Sequence, residues 1–519
     1  MPGRCAILLA LPLLIFAHVG LAQDNPDLPD LPLVPGISIP AIPGPGRTPG
    51  PNPTSAMPEA SEASPGASEE EAPPNGTPDA APQPDADTDS VSNDLPAHFA
   101  TYLAGPGADD VVAVGITPAA NLIVAGRLDE ISYGGTLTTL IDGPASVFQL
   151  PPDGKPFLFH TRVGKRLSDM AVSSGSGRIA LAGSLGVALL AADGQRFAWR
   201  DSLPINANRV AIAPDDWVAL LDGRRIGIYD PDGRRIASGD VDHPFLTDIE
   251  IDSENRLVFV TGHDEVRDRN DIRVQSAFVE AYDFDLNPVW RAWGYGGAEL
   301  GGEVADTHGV RLTIGGDGEL YFLGEAAGGD SQFIRDPQTP ARTGVLTLTD
   351  RYNTPTSRRR AVLAFYARLD RKTGRLKRAQ YAFPRFGPEQ RNLANTFLPR
   401  AIAADELGNV YVGGLSGRGI PDREKQTIAG QKIGDYGGDP ALLIVSPDFK
   451  RRIRWTSFSA GGIGNHTRID SIAVAFGLAI AGVTARGGKL VTVDALRPAP
   501  DKSLSTDQTD GYILLWRAP

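Results

Sequence analysis

The chain of 519 residues has an ordinary globular composition, with 41% hydrophobic and 22% charged residues. Its single cysteine, Cys5, lies in a segment expected to be removed, which excludes a disulfide, a thiol nucleophile and a thiolate metal site from the mature chain. The net charge of −13 lies almost entirely in residues 23–95, which hold 13 acidic residues against Arg47 alone. The remainder is nearly neutral and is not predicted to bind nucleic acid.

The first 22 residues have the features of a cleavable secretory signal peptide. Arg4 gives a basic start, residues 6–17 form an apolar run, and residues 20–22 (Gly-Leu-Ala) supply small side chains for cleavage. An uncleaved anchor is the alternative, but the run is too short to span a bilayer comfortably. The sequence therefore predicts a secreted or periplasmic protein whose mature chain has no membrane span.

Residues 23–95 are predicted to be a disordered linker. They are rich in Pro, Ala, Ser, Asp and Glu, as in the stretches 43–46 (Pro-Gly-Pro-Gly) and 69–74 (Glu-Glu-Glu-Ala-Pro-Pro). Such a segment cannot bury enough apolar surface to offset the entropy lost on ordering. We expect it to be dispensable for folding.

From residue 96 onward, a unit of two consecutive hairpins recurs seven times. The first hairpins fall at residues 112–124, 169–181, 209–221, 248–260, 310–323, 400–412 and 470–481. The turns of the second hairpins fall at residues 152–154, 192–194, 231–233, 285–287, 372–374 and 447–449. Several of these turns contain Asp-Gly, which supplies the positive φ that tight hairpins need. Four-stranded units repeated in this way are typical of propeller blades.

The last unit lacks its fourth strand, and residues 98–103 form a β-rich segment without a hairpin partner. We therefore expect residues 98–103 to pair with residues 512–516 and to close the ring. The predicted fold is an all-β, seven-bladed β-propeller over residues 96–519, closed by its N-terminal strand.

Three stretches resemble motifs of a bacterial family of seven-bladed propeller repeats. Residues 101–105 (Thr-Tyr-Leu-Ala-Gly), with Gly107 and Asp109, are similar to the Tyr-Leu-Gly-Gly opening of those repeats. Residues 407–414 (Leu-Gly-Asn-Val-Tyr-Val-Gly-Gly) resemble their Gly-Asn turn and Tyr-Val-Thr-Gly strand, and residues 455–462 are a weaker copy of the opening. The resemblance covers about residues 96–519 and implies an extracytoplasmic propeller without any particular activity.

The long insertions all fall between the two hairpins of a unit, at residues 127–144, 325–360, 416–440 and 484–511. In a propeller these connections and those between blades share one face, here called the insertion face. The short hairpin turns share the opposite face, here called the turn face. Long loops on one side of a rigid scaffold commonly carry binding function, which favours the insertion face.

Polar residues capable of chemistry are predicted on the insertion face. The candidate ligand-binding residues are His243, His263, Asp264, Asp306, His308 and His466. Histidines beside carboxylates can hold a divalent metal or act in acid–base chemistry, and His243, His263 and His308 are the candidate metal ligands. The alternative is that these residues only satisfy backbone groups. No cofactor is expected, with a divalent metal left open.

The leading functional hypothesis is a non-enzymatic binding or scaffold protein that presents the insertion face to a protein or polysaccharide. Two alternatives stay open. One is an extracytoplasmic hydrolase or lyase that uses the histidines and carboxylates, and the other is a structural component of an envelope assembly. The fold cannot choose among them, because propellers host all three.

Overall fold

The computed structural model describes residues 93–519 except 129–130, 132–136, 206, 297–298, 301–303, 344–360, 388–392, 462–466 and 501–507. The predicted signal peptide, and the predicted linker up to residue 92, lie outside the described residues. The described part is all-β apart from two short 3-10 helices, Gln332–Ile334 and Arg423–Lys425. No helix in these ranges is long and apolar enough to cross a membrane.

The described chain begins with β1 (Asp94–Leu95) and β2 (Ala97–Leu103), and most of the following strands form seven antiparallel sheets of four main strands. Sheet 1 contains β3 (Asp110–Ile116), β4 (Leu122–Arg127), β6 (Ala145–Leu150) and β7 (Phe159–Gly164), with β5 (Leu137–Ile141) added in parallel to β7. Sheet 2 contains β8 (Leu167–Val172), β9 (Ile179–Gly183), β10 (Gly186–Leu190) and β11 (Phe197–Asp201). Sheet 3 contains β12 (Ala207–Ile212), β13 (Val218–Asp222), β14 (Arg225–Tyr229) and β15 (Arg235–Asp240).

The remaining four sheets repeat the same order. Sheet 4 contains β16 (Phe245–Asp252), β17 (Leu257–Arg267), β18 (Arg273–Asp283) and β19 (Pro288–Trp293). Sheet 5 contains β20 (Thr307–Ile314), β21 (Leu320–Ala326), β22 (Leu363–Leu369) and β23 (Leu376–Ala382). Sheet 6 contains β24 (Phe397–Ala404), β25 (Val410–Ser416), β28 (Asp439–Val445) and β29 (Arg452–Ser457). Sheet 7 contains β31 (Arg468–Ala475), β32 (Leu478–Ala485), β34 (Asp510–Arg517) and β2.

The sheets are arranged radially about a central axis. The first strand of each sheet contacts the first strands of its two neighbours, in the order β3, β8, β12, β16, β20, β24, β31 and back to β3. Each sheet therefore packs against a neighbour on both faces, which explains why inner strands such as β9 and β21 are almost continuously apolar and buried. This arrangement is a β-propeller.

The ring is closed as the sequence predicted. Strand β2 pairs antiparallel with β34, with Tyr102 opposite Tyr512 and Leu103 opposite Gly511. The two tyrosine rings pack edge to face with centroids 5.4 Å apart. A strand from the N-terminal end of the described chain thus completes the sheet that holds its C-terminal strand.

The described residues form eight sheets of three or more strands, whereas the sequence predicted a propeller of seven blades. The additional sheet consists of β1, β26 (Thr427–Ile428) and β27 (Gln431–Lys432), and β1 runs parallel to β26. Asp94 fixes this pairing, since its Oδ1 accepts hydrogen bonds from Thr427 Oγ1 and Gly430 N, both at 2.8 Å. Asp94 and Leu95, which the sequence interpretation assigned to the linker, therefore belong to this sheet. A two-stranded sheet of β30 (Ser459–Gly461) and β33 (Lys489–Leu490) lies beside sheet 7.

Each first strand contains a register shift at the same point, where one extra residue forms a β-bulge. The extra residues are Val112, Ser168, Asn208, Thr247, Val310, Arg400 and Asp470. Bulges of this kind redirect side chains and increase the local twist. Because all seven lie at one level, the residues that follow them form successive rings around the axis.

Candidate functional site

His243 lies in the connection between β15 and β16, where sheets 3 and 4 pack together. The surrounding apolar cluster includes Ile226 and Ile228 of sheet 3 together with Phe278 and Tyr282 of sheet 4. The His243 ring stacks on Phe278 with centroids 4.0 Å apart, and His243 is only 4% exposed. The side chain is therefore held in the interface between two sheets and not in an open loop.

Two carboxylates hold the two ring nitrogens of His243. Nδ1 lies 2.9 Å from Asp264 Oδ1, and Nε2 lies 2.5 Å from Glu280 Oε2. Arg291 Nη2 donates to the other oxygen of Asp264 at 2.7 Å. Tyr282 donates its hydroxyl hydrogen to Glu280 Oε2 at 2.9 Å. These residues form what we call the His243 cluster.

Charge pairing dominates the electrostatics of the His243 cluster. Burial lowers the pKa of His243, but the hydrogen bonds to Asp264 and Glu280 outweigh it and raise that pKa to about 9. Burial raises the pKa values of Asp264 and Glu280, but the His243 hydrogen bonds outweigh it and both pKa values fall below their ordinary range. At neutral pH the cluster thus balances two cations, His243 and Arg291, against two carboxylates. With both nitrogens occupied, His243 has no lone pair to offer a metal or a proton.

His263 and His308 form a separate pair on β17 and β20, with ring centroids 4.6 Å apart. The His263 ring also stacks on Phe245 at 4.7 Å and nearly parallel, at 8°. His308 Nδ1 lies 2.9 Å from Glu325 Oε1, and its Nε2 bonds to the side-chain oxygen of Gln275. Burial, with the neighbouring His308 adding to it, lowers the pKa of His263 to about 4, so the His263 imidazole is neutral at physiological pH.

The structure brings together only some of the predicted site residues. His263 and His308 are in contact, whereas His243 and Asp264 belong to the His243 cluster. Asp306 instead accepts a hydrogen bond from Gln275 N at 2.8 Å and so fixes the backbone of the long β17–β18 hairpin. His466 lies outside the described residues. Within the residues that the structure describes, no group of three or more His, Cys, Asp or Glu side chains could hold a metal ion.

A second candidate site is a cavity of about 980 Å³ on the axis, lined by the first strands of all seven sheets and open among the turns of their first hairpins. Asp169, Asp248, Arg311 and Ser471 lie at its inner end. One level further out, the lining is Gly115, Ala171, Ala211, Glu250, Thr313, Ala403 and Ala473. The volume lies within the range of pockets that bind small molecules.

Charged side chains at the inner end join neighbouring sheets. Each first strand is an edge strand, so its backbone lacks a ladder partner on the side of the axis. Asp169 Oδ2 accepts from Val210 N at 3.1 Å, and Asp248 Oδ2 accepts from Leu312 N at 2.7 Å. Arg209 Nε donates to Thr247 O at 2.8 Å. In each case a side chain of one sheet satisfies the exposed edge of the next.

Arg311 repeats the pattern of Arg209, because its Nε donates to Arg400 O at 3.1 Å. Both arginines also approach Asp248 Oδ1, Arg209 at 3.5 Å and Arg311 at 3.3 Å. Sequence reasoning missed this group. The signal was a charged residue at one repeat position of four units in succession: Asp169, Arg209, Asp248 and Arg311 all follow the bulge.

No family model and no curated protein matches this chain. Among solved structures 545 chains match, including KlHsv2 with loop 6CD replaced by a Gly-Ser linker. That match has 8% identity and a TM-score of 0.39, and it covers 73% of this chain and 92% of the other. A protein of unknown function from Bacteroides caccae matches with 12% identity and a TM-score of 0.33, over 60% of this chain and 89% of the other. At these TM-scores the propeller assignment rests on the sheet topology alone.

Proposed function

We propose that this chain is a secreted or periplasmic binding or scaffold protein, without enzymatic activity, whose insertion face contacts a protein or polysaccharide. In this proposal the seven radial sheets are the blades, and the sheet of β1, β26 and β27 is an accessory of the insertion face. The observation that carries the proposal is that the insertions of sheets 5 and 6 are anchored in the fold and that another connection of the same face exposes apolar side chains.

The insertion of sheet 6 is held by a buried ion pair. Arg423 donates from Nε to Asp439 Oδ2 and from Nη2 to Asp439 Oδ1, both at 2.9 Å, and Asp439 is fully buried. Arg423 also donates to the Gly434 carbonyl within the same insertion. A two-pronged arginine–carboxylate contact adds geometric specificity, so this segment keeps a defined shape for a partner.

The insertion of sheet 5 is anchored by Gln332, which is 2% exposed. Its Nε2 donates to Ala277 O at 2.7 Å and to Thr307 Oγ1 at 2.9 Å. Its Oε1 accepts from Ser276 Oγ at 2.9 Å. A single buried amide thus ties the insertion to sheets 4 and 5, which pre-organises the surface and lowers the entropic cost of binding.

Exposed apolar side chains lie on the same face. Leu203 is 73% and Ile205 81% exposed, in the connection between sheets 2 and 3. Leu203 also lines a groove of about 240 Å³ together with Tyr229, Arg225 and Arg235. Aromatic and arginine side chains beside apolar ones are the composition that protein interfaces favour. We favour a binding role over hydrolase or lyase chemistry because Asp264 and Glu280 already hold both ring nitrogens of His243.

The test is capture of partners by the mature protein, using extracellular proteins of the native source and an array of polysaccharides. The double variant Leu203→Ser, Ile205→Ser should lose the specific partner, because it removes apolar contact area without touching the core. Leu407→Ser is the matched control, since Leu407 is 70% exposed but lies in a turn of the opposite face. Equal binding by the wild type and both variants, or loss in the control alone, would contradict the proposal.

A further inference from the structure

The axial cavity concentrates negative charge in a domain that is otherwise close to neutral. Its lining contains seven carboxylates: Asp169, Asp215, Asp248, Glu250, Asp252, Glu254 and Glu406. Only two arginines, Arg311 and Arg371, line the same space. A concave site lined mostly by one sign of charge focuses the field and raises the local concentration of counter-ions.

Four of these carboxylates form a row at every second residue from Asp248 to Glu254, along β16 and the turn that follows it. Three of them already have an arginine partner. Asp248 Oδ1 lies 3.3 Å from Arg311 Nη1. Arg371 pairs with the other two, through contacts of 3.4 Å to Asp252 and 2.7 Å to Glu254. Both arginines that line the cavity are therefore already paired with these three carboxylates.

Glu250 is the exception in the row, since it forms no ion pair with any described residue. Its Oε1 accepts from Ile251 N at 2.9 Å and its Oε2 from Ile314 N at 3.3 Å. These two backbone hydrogen bonds orient the carboxyl group without supplying a countercharge. Burial raises the pKa of Glu250 to about 8, in keeping with a carboxylate that lacks a cation.

The wall around Glu250 is apolar and made of small residues. At the equivalent repeat position the other sheets have Gly115, Ala171, Ala211, Thr313, Ala403 and Ala473. The next residues outward are largely aliphatic, including Val172, Ile212 and Ile314. This lining leaves room beside Glu250 and gives an alkyl chain a surface to contact.

The mouth of the cavity has carboxylates again, next to an aromatic ring. Phe476 is 47% exposed, and its backbone N–H donates to Glu406 Oε1 at 3.0 Å. Asp215 and Glu254 line the same opening. β16 ends at Asp252 and Glu254 lies in the turn that follows, so these two anionic levels are at most about 13 Å apart along the backbone. On sheet 4 the Asp252–Arg371 ion pair lies between them, whereas the other sheets present aliphatic side chains there.

We propose that the axial cavity binds a linear aliphatic diamine or polyamine, with one ammonium group at Glu250, the alkyl chain along the aliphatic wall and a second ammonium group at the mouth carboxylates. The inner ammonium supplies the countercharge that Glu250 lacks, and a buried charge is stabilised only when it is paired and hydrogen-bonded. Phe476 can contact the outer cation through its ring face. This site is on the opposite side of the ring from the insertion face, so it extends the proposed function.

The test is titration calorimetry of the full mature chain with 1,8-diaminooctane, whose amines stay protonated up to about pH 9, as lysine side chains do. We expect one molecule to bind, with an affinity that rises between pH 6.5 and 8.5 because Glu250 must ionise. Glu250→Gln should weaken binding at least tenfold and remove that pH dependence. Glu265→Gln, an acidic residue outside the cavity, should bind like the wild type.

Folding of the variants is checked by thermal melts, because Gln at position 250 keeps an oxygen that can accept a backbone hydrogen bond. Suberate, a dianion of the same length, should give no binding heat. The proposal is overturned if the diamine does not bind, if Glu250→Gln binds it as well as the wild type, or if suberate binds. The Leu203→Ser, Ile205→Ser variant should bind the diamine normally, which separates this test from that of the insertion face.

Discussion

The carboxylates of the His243 cluster and Glu250 of the axial cavity are all shielded from water, but only those of the cluster have a cation beside them. In the His243 cluster, His243 and Arg291 compensate Asp264 and Glu280, whose pKa values fall. In the cavity, Glu250 has only backbone donors, and its pKa rises to about 8. The difference shows that burial alone favours the neutral carboxyl group, whereas a paired cation reverses the effect. A compensated cluster stabilises the fold, whereas the carboxyl group of Glu250 gains a stable charge at neutral pH only when a ligand supplies the cation.

Removing the imidazole of His243 from its cluster should give the largest effect. His243→Ala leaves Asp264 and Glu280 close together and largely buried without their shared partner, so the free energy of unfolding should fall by about 3 kcal/mol. Urea unfolding at pH 7 measures this. The triple variant His243→Leu, Asp264→Asn, Glu280→Gln should recover part of the loss, since it removes the charges together. If His243→Ala were as stable as the wild type, the cluster would not be ion-paired.

Replacing Glu250, the carboxyl group without a cation, should raise the free energy of unfolding instead of lowering it. The folded-state pKa of Glu250 is about 8, above the unfolded value, so the folded protein holds a proton that the unfolded chain releases as the pH rises above about 4.5. Glu250→Gln should therefore stabilise the protein at pH 8, by on the order of 2 kcal/mol, and have little effect at pH 4. Glu254→Gln, whose exposed carboxylate pairs with Arg371, should change stability by less than about 0.5 kcal/mol. A loss of stability in Glu250→Gln at pH 8 would show that Glu250 stabilises the folded protein as a charged group.

The pH dependence of the wild type should show the charged state of His243. Its folded pKa of about 9 lies above the unfolded value, so its contribution is complete below about pH 6.5 and is lost as the pH rises through 9. Thermal melts between pH 6.5 and 9.5 should show the wild type losing more stability than His243→Gln, by up to about 1.4 kcal/mol per pH unit. Parallel curves for the two proteins would mean that His243 is neutral when folded.

The smallest effect should come from His263, the neutral histidine of the insertion face. Its folded pKa of about 4 lies below the unfolded value, so the wild type loses stability as the pH falls from about 6.5 to 4. His263→Phe keeps an aromatic ring against Phe245 and removes that acid sensitivity. We expect a change within about 1 kcal/mol at pH 7 and a gain over the wild type at pH 5, measured by urea unfolding. A large loss at pH 7 would indicate an essential polar contact of His263.

Much of the fold was accessible from local sequence pattern. Asp-Gly turns such as those at Gly194 and Gly233, which have φ of +70° and +84°, predicted the second hairpins because few other residues adopt that conformation easily. The pairing of β2 with β34 followed from a strand missing at one end of the chain and left over at the other. The parallel pairings of β1 with β26 and of β5 with β7 were not predicted, because they depend on how insertions fold back and have no short-range sequence signal.

The candidate sites likewise have some features that local pattern predicts and others that depend on the folded structure. Local sequence pattern was enough to predict the repeating four-stranded units, the face that carries the insertions and the placement of His263 and His308 on neighbouring units, because hairpin hydrogen bonding and strand alternation act over a few residues. Local pattern did not predict that Asp264 and Glu280 hold His243, or that Glu250 lies in an axial cavity without a cation beside it. Those properties depend on which side chains meet across sheet interfaces and on how much water burial removes. The contacts across sheet interfaces and the exclusion of water are both established only when the ring closes.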